Sequence, residues 1–485
     1  VEKHVLGIDI GTTSVKAVLF GQNGVCVEES EVTYELLHPQ RGMAEQDPYE
    51  IEKAALEALR LLPSDKYAVS SAGFSAAMHT LICLDEKGEP LTNSITWADT
   101  RSSEEAKMLL ESAEGSGIYE RTGTPIHTMS PLTKLHWLKK HHPDIYERTK
   151  KFVSIKEFLL YRWFGAEVVD YSIASATGLF DVHHKQWDER VLASLDITNN
   201  RLNEPVPPAY VLPELKEKIR TAAGLPEGIV FAAGGSDGAL ANLGIGALNP
   251  GETALTIGTS GAVRQMSSTP AVSENQRTFC YAFDEEAWIV GGPTNNGGIA
   301  FQWLQKIFKN NNIEQLLEDA SQVQPESSSL LFLPYLQGER APVWDPGARG
   351  GFINLSIEHE QKHLTRAVLE GVIFSVYDVF SSVEEAAGPT KQLFVSGGFA
   401  RSPLWLQITA DVFGRELLIP ASHQSSAWGA AWCSMIASGE KTSYQEIKEC
   451  IPMKEPIYPN KHNHAVYQKL FTKYRGLYEA LKPFQ

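Results

Sequence analysis

Apolar positions along this 485-residue chain fall into two kinds of pattern. The first is a short apolar run that ends in a turn of small polar residues. It occurs at 6–20, LGIDIGTTSVKAVLF, and nearly repeats at 254–266, ALTIGTSGAVRQM. Each reads as a strand, a Gly-Thr turn and a second strand. YAVSSAGFS (67–75) and QLFVSGGFA (392–400) each read as a strand running into a small-residue turn. GIVFAAGGSDGALANLGIGAL (228–248) reads as a strand followed by a helix that begins near Ala239. The second pattern recurs at helical spacing. It predicts helices over 48–62, 104–113 and 132–150, and a long one over 363–387 whose apolar residues cover most faces and which is therefore buried. NEPVPPAYVLP (203–213) reads as a proline-rich loop. Strands alternating with helices predict an α/β architecture.

The two Gly-Thr stretches lie about half a chain apart. That period suggests two related domains, since solenoid units are far shorter. LNPGE (248–252) reads as the turn between them, which divides the chain into 1–246 and 247–485. Hydrophobic residues at 43% and charged residues at 21% fit ordinary globular packing. A net charge of −16, from 43 basic and 59 acidic residues, argues against a nucleic-acid-binding surface. Cys26, Cys83, Cys280, Cys433 and Cys450 are scattered and form no CxxC pair, as expected of free thiols in a reducing compartment. No apolar run approaches the ~18 residues of a membrane span and no leader-like pattern opens the chain, so a cytoplasmic protein without a membrane partner is expected.

A Gly-Thr turn between strands offers consecutive backbone N–H groups flanked by hydroxyls, a donor set suited to phosphate oxygens. Lys16 adds a positive charge, and Asp9 at the strand end suits Mg²⁺, which takes oxygen ligands and keeps several waters. No Gly-Lys pair occurs, so there is no Walker A loop, and no GxGxxG fingerprint is present. Asp237, after two glycines and before a helix, suits either a general base or a helix N-cap. His79, Trp97, Asp99 and Arg101, with the amides of Asn295 and Asn296, supply donors, acceptors and an apolar wall for a polyol, or a satisfied core histidine and ordinary turn residues. HEQKH (359–363) fits the HExxH zinc pattern. Lys362 against the metal and the lack of a third ligand favour instead a polar helix start, with Ser356 as its N-cap.

Together these stretches resemble the FGGY carbohydrate kinases, members of the superfamily of actin, hexokinase and the heat-shock chaperone ATPases. The likeness runs over nearly the whole chain, through GIDIGTTSVKAVLF, AAMHTLICLD, WADTR, GGSDGALANLG, LTIGTSGAV, ERAPVWDPGARGGFINLSIEHEQKHLTRAVLEG and GGFARSPLWLQITADVFG. RTFCYAF (277–283) and WIVGGPTNNGGIAFQWL (288–304) look most like the gluconate-phosphorylating branch. Two positions depart from the usual pattern: Gly21 replaces an aspartate, and Ala76-Ala77 replaces the Gly-Gln common in xylulose kinases.

The resemblance implies two ribonuclease-H-like domains around a deep cleft. The first, 1–246, would hold the sugar site, one phosphate turn and the catalytic aspartate; the second, 247–485, the other phosphate turn and the adenosine site. Asp237 would be the catalytic base, and Asp9 with Asp237 would hold Mg²⁺. Thr12, Thr13 and Lys16 would face the phosphates of ATP from one side, Gly258 and Thr259 from the other. Gly298, Gln302, Gly398 and Ser402 would bind the rest of ATP. Met78, His79, Trp97, Arg101 and Asn295 would join Asp237 around the sugar. The expected reaction is ATP-dependent phosphorylation of a terminal hydroxyl of a sugar acid, D-gluconate. The alternatives are a xylulose or other polyol kinase of the same family and, in another class, an ATP-driven switch of the actin or chaperone type without a sugar site. A substrate carboxylate calls for Arg, Lys, a helix N-terminus or paired amides, which points to Arg101, Arg264 and Asn295. The expected partners are a sugar or sugar acid and ATP; the assembly state is left open, a homodimer included.

Overall fold

The computed structural model describes residues 3–310, 312–325, 329–421 and 424–484, without the side chain of Asp65. Two mixed sheets carry the fold. The first runs Val230–Ser236, Ala68–Ala76, Lys3–Ile10, Ser14–Gly21, Cys26–Thr33. The second runs Leu417–Leu418, Gln392–Ser396, Glu252–Ile257, Gly261–Ser267, Ala287–Thr294, Phe279–Asp284. In those orders each sheet begins with two parallel pairings and continues with antiparallel ones. The half-chain repeat is therefore one of topology as well as of residues. The hairpin at 3–21 holds the place in one sheet that 252–267 holds in the other, and the strands at 68–76 and 392–396 lie alongside them in parallel.

Most predicted helices form with shifted ends: Pro48–Leu61, Ser103–Glu111 and Gln361–Ala387, the last buried along most of its length. The helix expected over 132–150 is two, Pro131–His141 and Pro143–Arg148. Pro143 lacks an amide proton and disfavours helical backbone at His142, so the break follows from covalent geometry. The loop expected over 203–213 contains a short strand, Glu204–Val206, paired in parallel with Val168–Asp170. The helix after the strand at 230–236 starts at Asp237, two residues before Ala239. Ser356 does not cap the long helix. Glu360 does, and His359 lies ahead of the first turn, so the two histidines of HEQKH are not an i, i+4 pair on one helical face.

Apolar clusters cross between the sheets. Leu81, Ile118, Leu135 and Phe180, from the long insertion after the strand at 68–76, share a core with Val263 and Val290 of the second sheet and with Val372 of the long helix. A second contact brings the chain back. The helix Ser425–Ala437, from the far end of the sequence, packs on the first sheet, with Ala427, Ala430 and Ala431 among Val5, Val18 and Ala232. Its approach is set by glycines: a Cβ on Gly73 would stand 1.9 Å from the Ala430 carbonyl oxygen, and one on Gly7 2.1 Å from that of Ala427. Both obstacles are backbone, so neither can swing aside. Gly73→Ala is expected to destabilise the protein by about 3 kcal/mol or more in urea denaturation. A loss below about 0.5 kcal/mol would mean that this helix can be displaced freely.

Candidate active site

Two cavities meet at the Gly258–Thr259 turn. The smaller, about 330 Å³, is lined by Thr12, Met78, His79, Trp97 and Asp237 from the first half of the chain and by Ala262, Arg264, Tyr281 and Arg340 from the second. The larger, about 770 Å³, has Gly298, Phe301, Gln302, Gly398, Ser402 and Trp405 in its wall. Gly258 and Thr259 line both. An elongated molecule could therefore lie with one end in each cavity and its middle on the turn.

The two Gly-Thr turns are built to offer donors. In the second, the carbonyls of Gly258 and Thr259 accept from Gly298 (2.7 Å) and Gly297 (3.0 Å) at the start of the helix Gly298–Phe308. In the first, Tyr34 Oη donates to the Gly11 carbonyl and Gln46 Nε2 to that of Thr12. The turn carbonyls are thus occupied. The amides of Thr12, Thr13, Thr259 and Ser260 donate to no acceptor among the described residues. Unpaired amides on two turns are the feature a polyphosphate would satisfy.

Asp237 opens its helix, and Ser236 caps it through Ala239 N at 3.3 Å. The aspartate is thus free of the capping role; among the described residues its Oδ1 accepts only from its neighbour Gly238 N, at 2.7 Å. Burial, followed by the charge of Asp9, raises its pKa to about 6, with Arg264 and Arg340 pulling the other way. Asp9 accepts from Ser75 Oγ (2.6 Å) and from Ser426 Oγ (2.8 Å), so the returning helix at 425–437 helps to fix it. Two carboxyl groups that feel each other beside open amides fit Mg²⁺, which needs few protein oxygens and keeps its waters. Among the described residues no cluster of three His, Cys, Asp or Glu exists, as a zinc or all-protein cage would need.

The rest of the wall is held from behind. His79, in the left-handed region at φ 65°, donates from Nδ1 to the Ala176 carbonyl at 2.8 Å. Burial drives its pKa down to about 3, so the ring stays neutral and Nε2 is left as an acceptor. Lys134, fully buried, donates to the carbonyls of His79 (2.7 Å), Thr96 (2.8 Å) and Met129 (2.8 Å). One ammonium therefore ties together three wall segments. Trp97 Nε1 donates to Thr12 Oγ1 at 3.0 Å, and the Arg340 guanidinium lies 4.9 Å from the Trp97 ring centroid. Arg340 is seated by its donation to Thr294 O at 2.9 Å. Buried Glu339 accepts from Asn296 Nδ2 (3.1 Å), Arg340 N (2.8 Å) and Asn295 N, which locks 294–296 to 339–340.

The comparisons with known proteins agree with this geometry. A model of the FGGY carbohydrate-kinase N-terminal domain matches residues 4–244, and one of the C-terminal domain matches 253–438. The chain belongs to the FGGY family of carbohydrate kinases. A Bacillus licheniformis gluconokinase is 40% identical, over 99% of this chain and 96% of its own length. Two crystal structures, of a gluconate kinase and of a ligand-bound xylulose kinase, both from Lactobacillus acidophilus, each superpose with a TM-score of 0.96 at 33% identity, covering 99% of this chain and 98% of theirs.

Not every residue expected around the substrates of this FGGY kinase is brought to a cavity wall. Arg101 is turned into an ion-pair cluster with Glu45 (2.5 Å) and Asp99 (2.7 Å) and stacks near Trp137. Asn295 is spent on Glu339 and, through Nδ2, on Gln337 O. Neither is among the residues that line the small cavity. Lys16 sits mid-strand opposite Asp9 and Glu31, and lines neither cavity. Thr13 is exposed at the same turn as Thr12 and lines neither. Asp9 lines neither cavity, though its charge reaches Asp237. Sequence reasoning missed Arg340 and Lys134. Arg340 lies in a quoted motif, but nothing in its spacing marks it as cavity-lining; Lys134 reads as an ordinary surface residue of an amphipathic helix.

Proposed function

We propose that this FGGY kinase transfers the terminal phosphoryl group of Mg²⁺-bound ATP to the terminal hydroxyl of D-gluconate, in the cytoplasm. The observation that carries the reading is the junction of two unequal cavities at one amide-rich turn, with Asp237 in the smaller. The larger, with apolar Phe301 and Trp405 in its wall, suits adenosine, and Gly298, Gln302, Gly398 and Ser402 take that role. Thr12, Gly258 and Thr259 hold the phosphates. Asp9 and Asp237 would hold Mg²⁺, which when bound would supply charge to offset the negative charge on the phosphoryl oxygens. Asp237 accepts the hydroxyl proton, and His79, Met78 and Trp97 orient the sugar. The chain divides near 246–247 in this reading, with the helix at 425–437 returning to the first lobe. Among the described residues no helix is long and apolar enough to cross a membrane.

The gluconate assignment draws on the likeness to the Bacillus gluconokinase. The equally close superposition on a xylulose kinase makes a ketose kinase the second reading. An ATP-coupled assay with gluconate, xylulose, ribulose, glycerol and epimers of gluconate decides between them. The expected result is a kcat/KM for gluconate at least about 100-fold above that for any neutral sugar, since a site made for a polar group rejects analogues that leave it unpaired. A higher value with xylulose would overturn the assignment in favour of the second reading.

A further inference from the structure

Beside the candidate base lies a cation that forms no ion pair within 4.0 Å among the described residues. Arg264 follows Ala262 by two residues on the strand Gly261–Ser267, and both line the small cavity. Residues i and i+2 of a strand share a face, about 7 Å apart. An acceptor extending along this strand from the Gly258–Thr259 turn therefore meets Ala262 first and Arg264 next. Space for the guanidinium is left by glycines: a Cβ on Gly238 would stand 2.9 Å from Arg264 Nε, and one on Gly291 3.1 Å from its Cγ.

The Arg264 guanidinium makes no hydrogen bond or ion pair among the described residues, and its Nε is shielded from solvent without a partner. Arg340 Nε is in the same condition, although its Nη2 is held by Thr294 O. Among the described residues in the cavity wall, Arg264 and Arg340 are the cations and Asp237 the one acid. Asp237 pairs with neither within 4.0 Å and is claimed by the proton transfer. Buried charges in folded proteins are paired, so this wall lacks an anion. A planar guanidinium offers parallel N–H groups that match a carboxylate.

We propose that Arg264, seconded by Arg340, binds the carboxylate of the acceptor and makes the cavity select a sugar acid over a neutral sugar. The inference rests on the sugar-acid reading above and adds the residue that enforces it. Arg101 and Asn295, the other groups the sequence offers for this task, are occupied elsewhere.

The test compares D-gluconate with D-glucitol, which carries CH₂OH in place of the carboxylate, in the wild type, Arg264→Gln and Arg264→Lys. Removing one partner of a buried charged pair is expected to lower kcat/KM for gluconate by about 30- to 1,000-fold. The effect should fall mainly on KM, with KM for ATP moving less than about threefold. Activity on glucitol should fall far less, so the gluconate-to-glucitol ratio collapses. Arg264→Lys, which keeps the charge and loses the fork, should lie between. Calorimetric titration of gluconate into each variant, after thermal melts establish that it is folded, reads binding without turnover and should weaken in parallel. A wild type that prefers gluconate, with variants that keep its ratio, overturns this inference and leaves the functional reading standing. Equal loss on both sugars through kcat would assign Arg264 to phosphoryl transfer and overturn it too. A wild type with no preference for the acid sinks both.

Discussion

Asp237→Asn is expected to lower kcat by about 10²–10⁴-fold, the usual contribution of a general base, and at the same time to stabilise the apo protein at pH 7–8. The first effect follows from position: Asp237 is the one carboxyl group in the wall of the acceptor cavity among the described residues. The second follows from what surrounds it. Ser236 supplies the helix cap, and an asparagine oxygen could still accept from Gly238 N, so the substitution removes no structural bond. What it removes is a buried charge facing Asp9. Burial and Asp9 raise the carboxyl pKa from 3.8 to about 6. A carboxyl group whose pKa is higher in the native than in the unfolded state destabilises the native state above that pKa, and the penalty fades as pH falls towards 4. For a shift of this size the penalty is on the order of 3 kcal/mol. Paired measurements of turnover and of Tm at pH 8 and pH 4, without ligands, check both limbs. Lost activity with a Tm that rises at pH 8 and not at pH 4 marks a residue kept for chemistry at the expense of stability. A drop in Tm at pH 8 would make Asp237 a structural residue, and unchanged turnover would remove it from catalysis.

The parts of this site that local pattern dictates are the parts legible in the sequence. A strand, a Gly-Thr turn and a strand form the same hairpin wherever they occur, and finding the pattern twice predicted two sheets of the same plan. The strand into Ser236 and Asp237 was legible for the same reason. Residues whose roles depend on partners distant in sequence were not. Arg101 looked available because Asp99 beside it reads as a surface partner; Glu45, which completes its burial, comes from another segment. Asn295 looked like an amide for a ligand, and its Nδ2 donates to the Gln337 carbonyl of a loop more than forty residues on, while its backbone N–H goes to Glu339. The break at His142–Pro143 did carry a signal, since proline marks it. The helix SSAWGAAWCSMIA (425–437) carried one as well: its small residues at close spacing predict a backbone that approaches another backbone, as Gly7 and Gly73 then allow.

Behind the catalytic turn lies a buried ion pair whose loss is expected to be the most costly to stability. Lys156, in the first turn of the helix Ile155–Phe164, meets Asp170 at 2.5 Å with side-chain exposures of 0% and 1%. Its Nζ also donates to Ala233 O at 2.9 Å, in the strand that ends at Ser236. Asp170 reaches the same turn by another route. Its Oδ1 accepts from Ser172 N (3.0 Å), Ile173 N (3.1 Å) and Ser172 Oγ (2.5 Å), and Ser172 Oγ accepts from Ser236 N at 2.8 Å. The strand that leads into Asp237 is therefore clamped through both members of the pair, at Ala233 and at Ser236. Lys156→Met fills much of the same volume and strands a carboxylate in the core, at an expected cost of about 3–5 kcal/mol. Adding Asp170→Asn removes the stranded charge and should restore more than half of that loss, because a neutral amide can still accept from Ser172 and Ile173. Turnover should remain depressed in the double variant, since the tie from Lys156 to Ala233 is still missing. Urea titrations of the two single variants and the double variant measure the coupling directly. If the double variant is no more stable than Lys156→Met, the pair is not coupled, and the clamp on the turn must come from the Ser172 bonds alone.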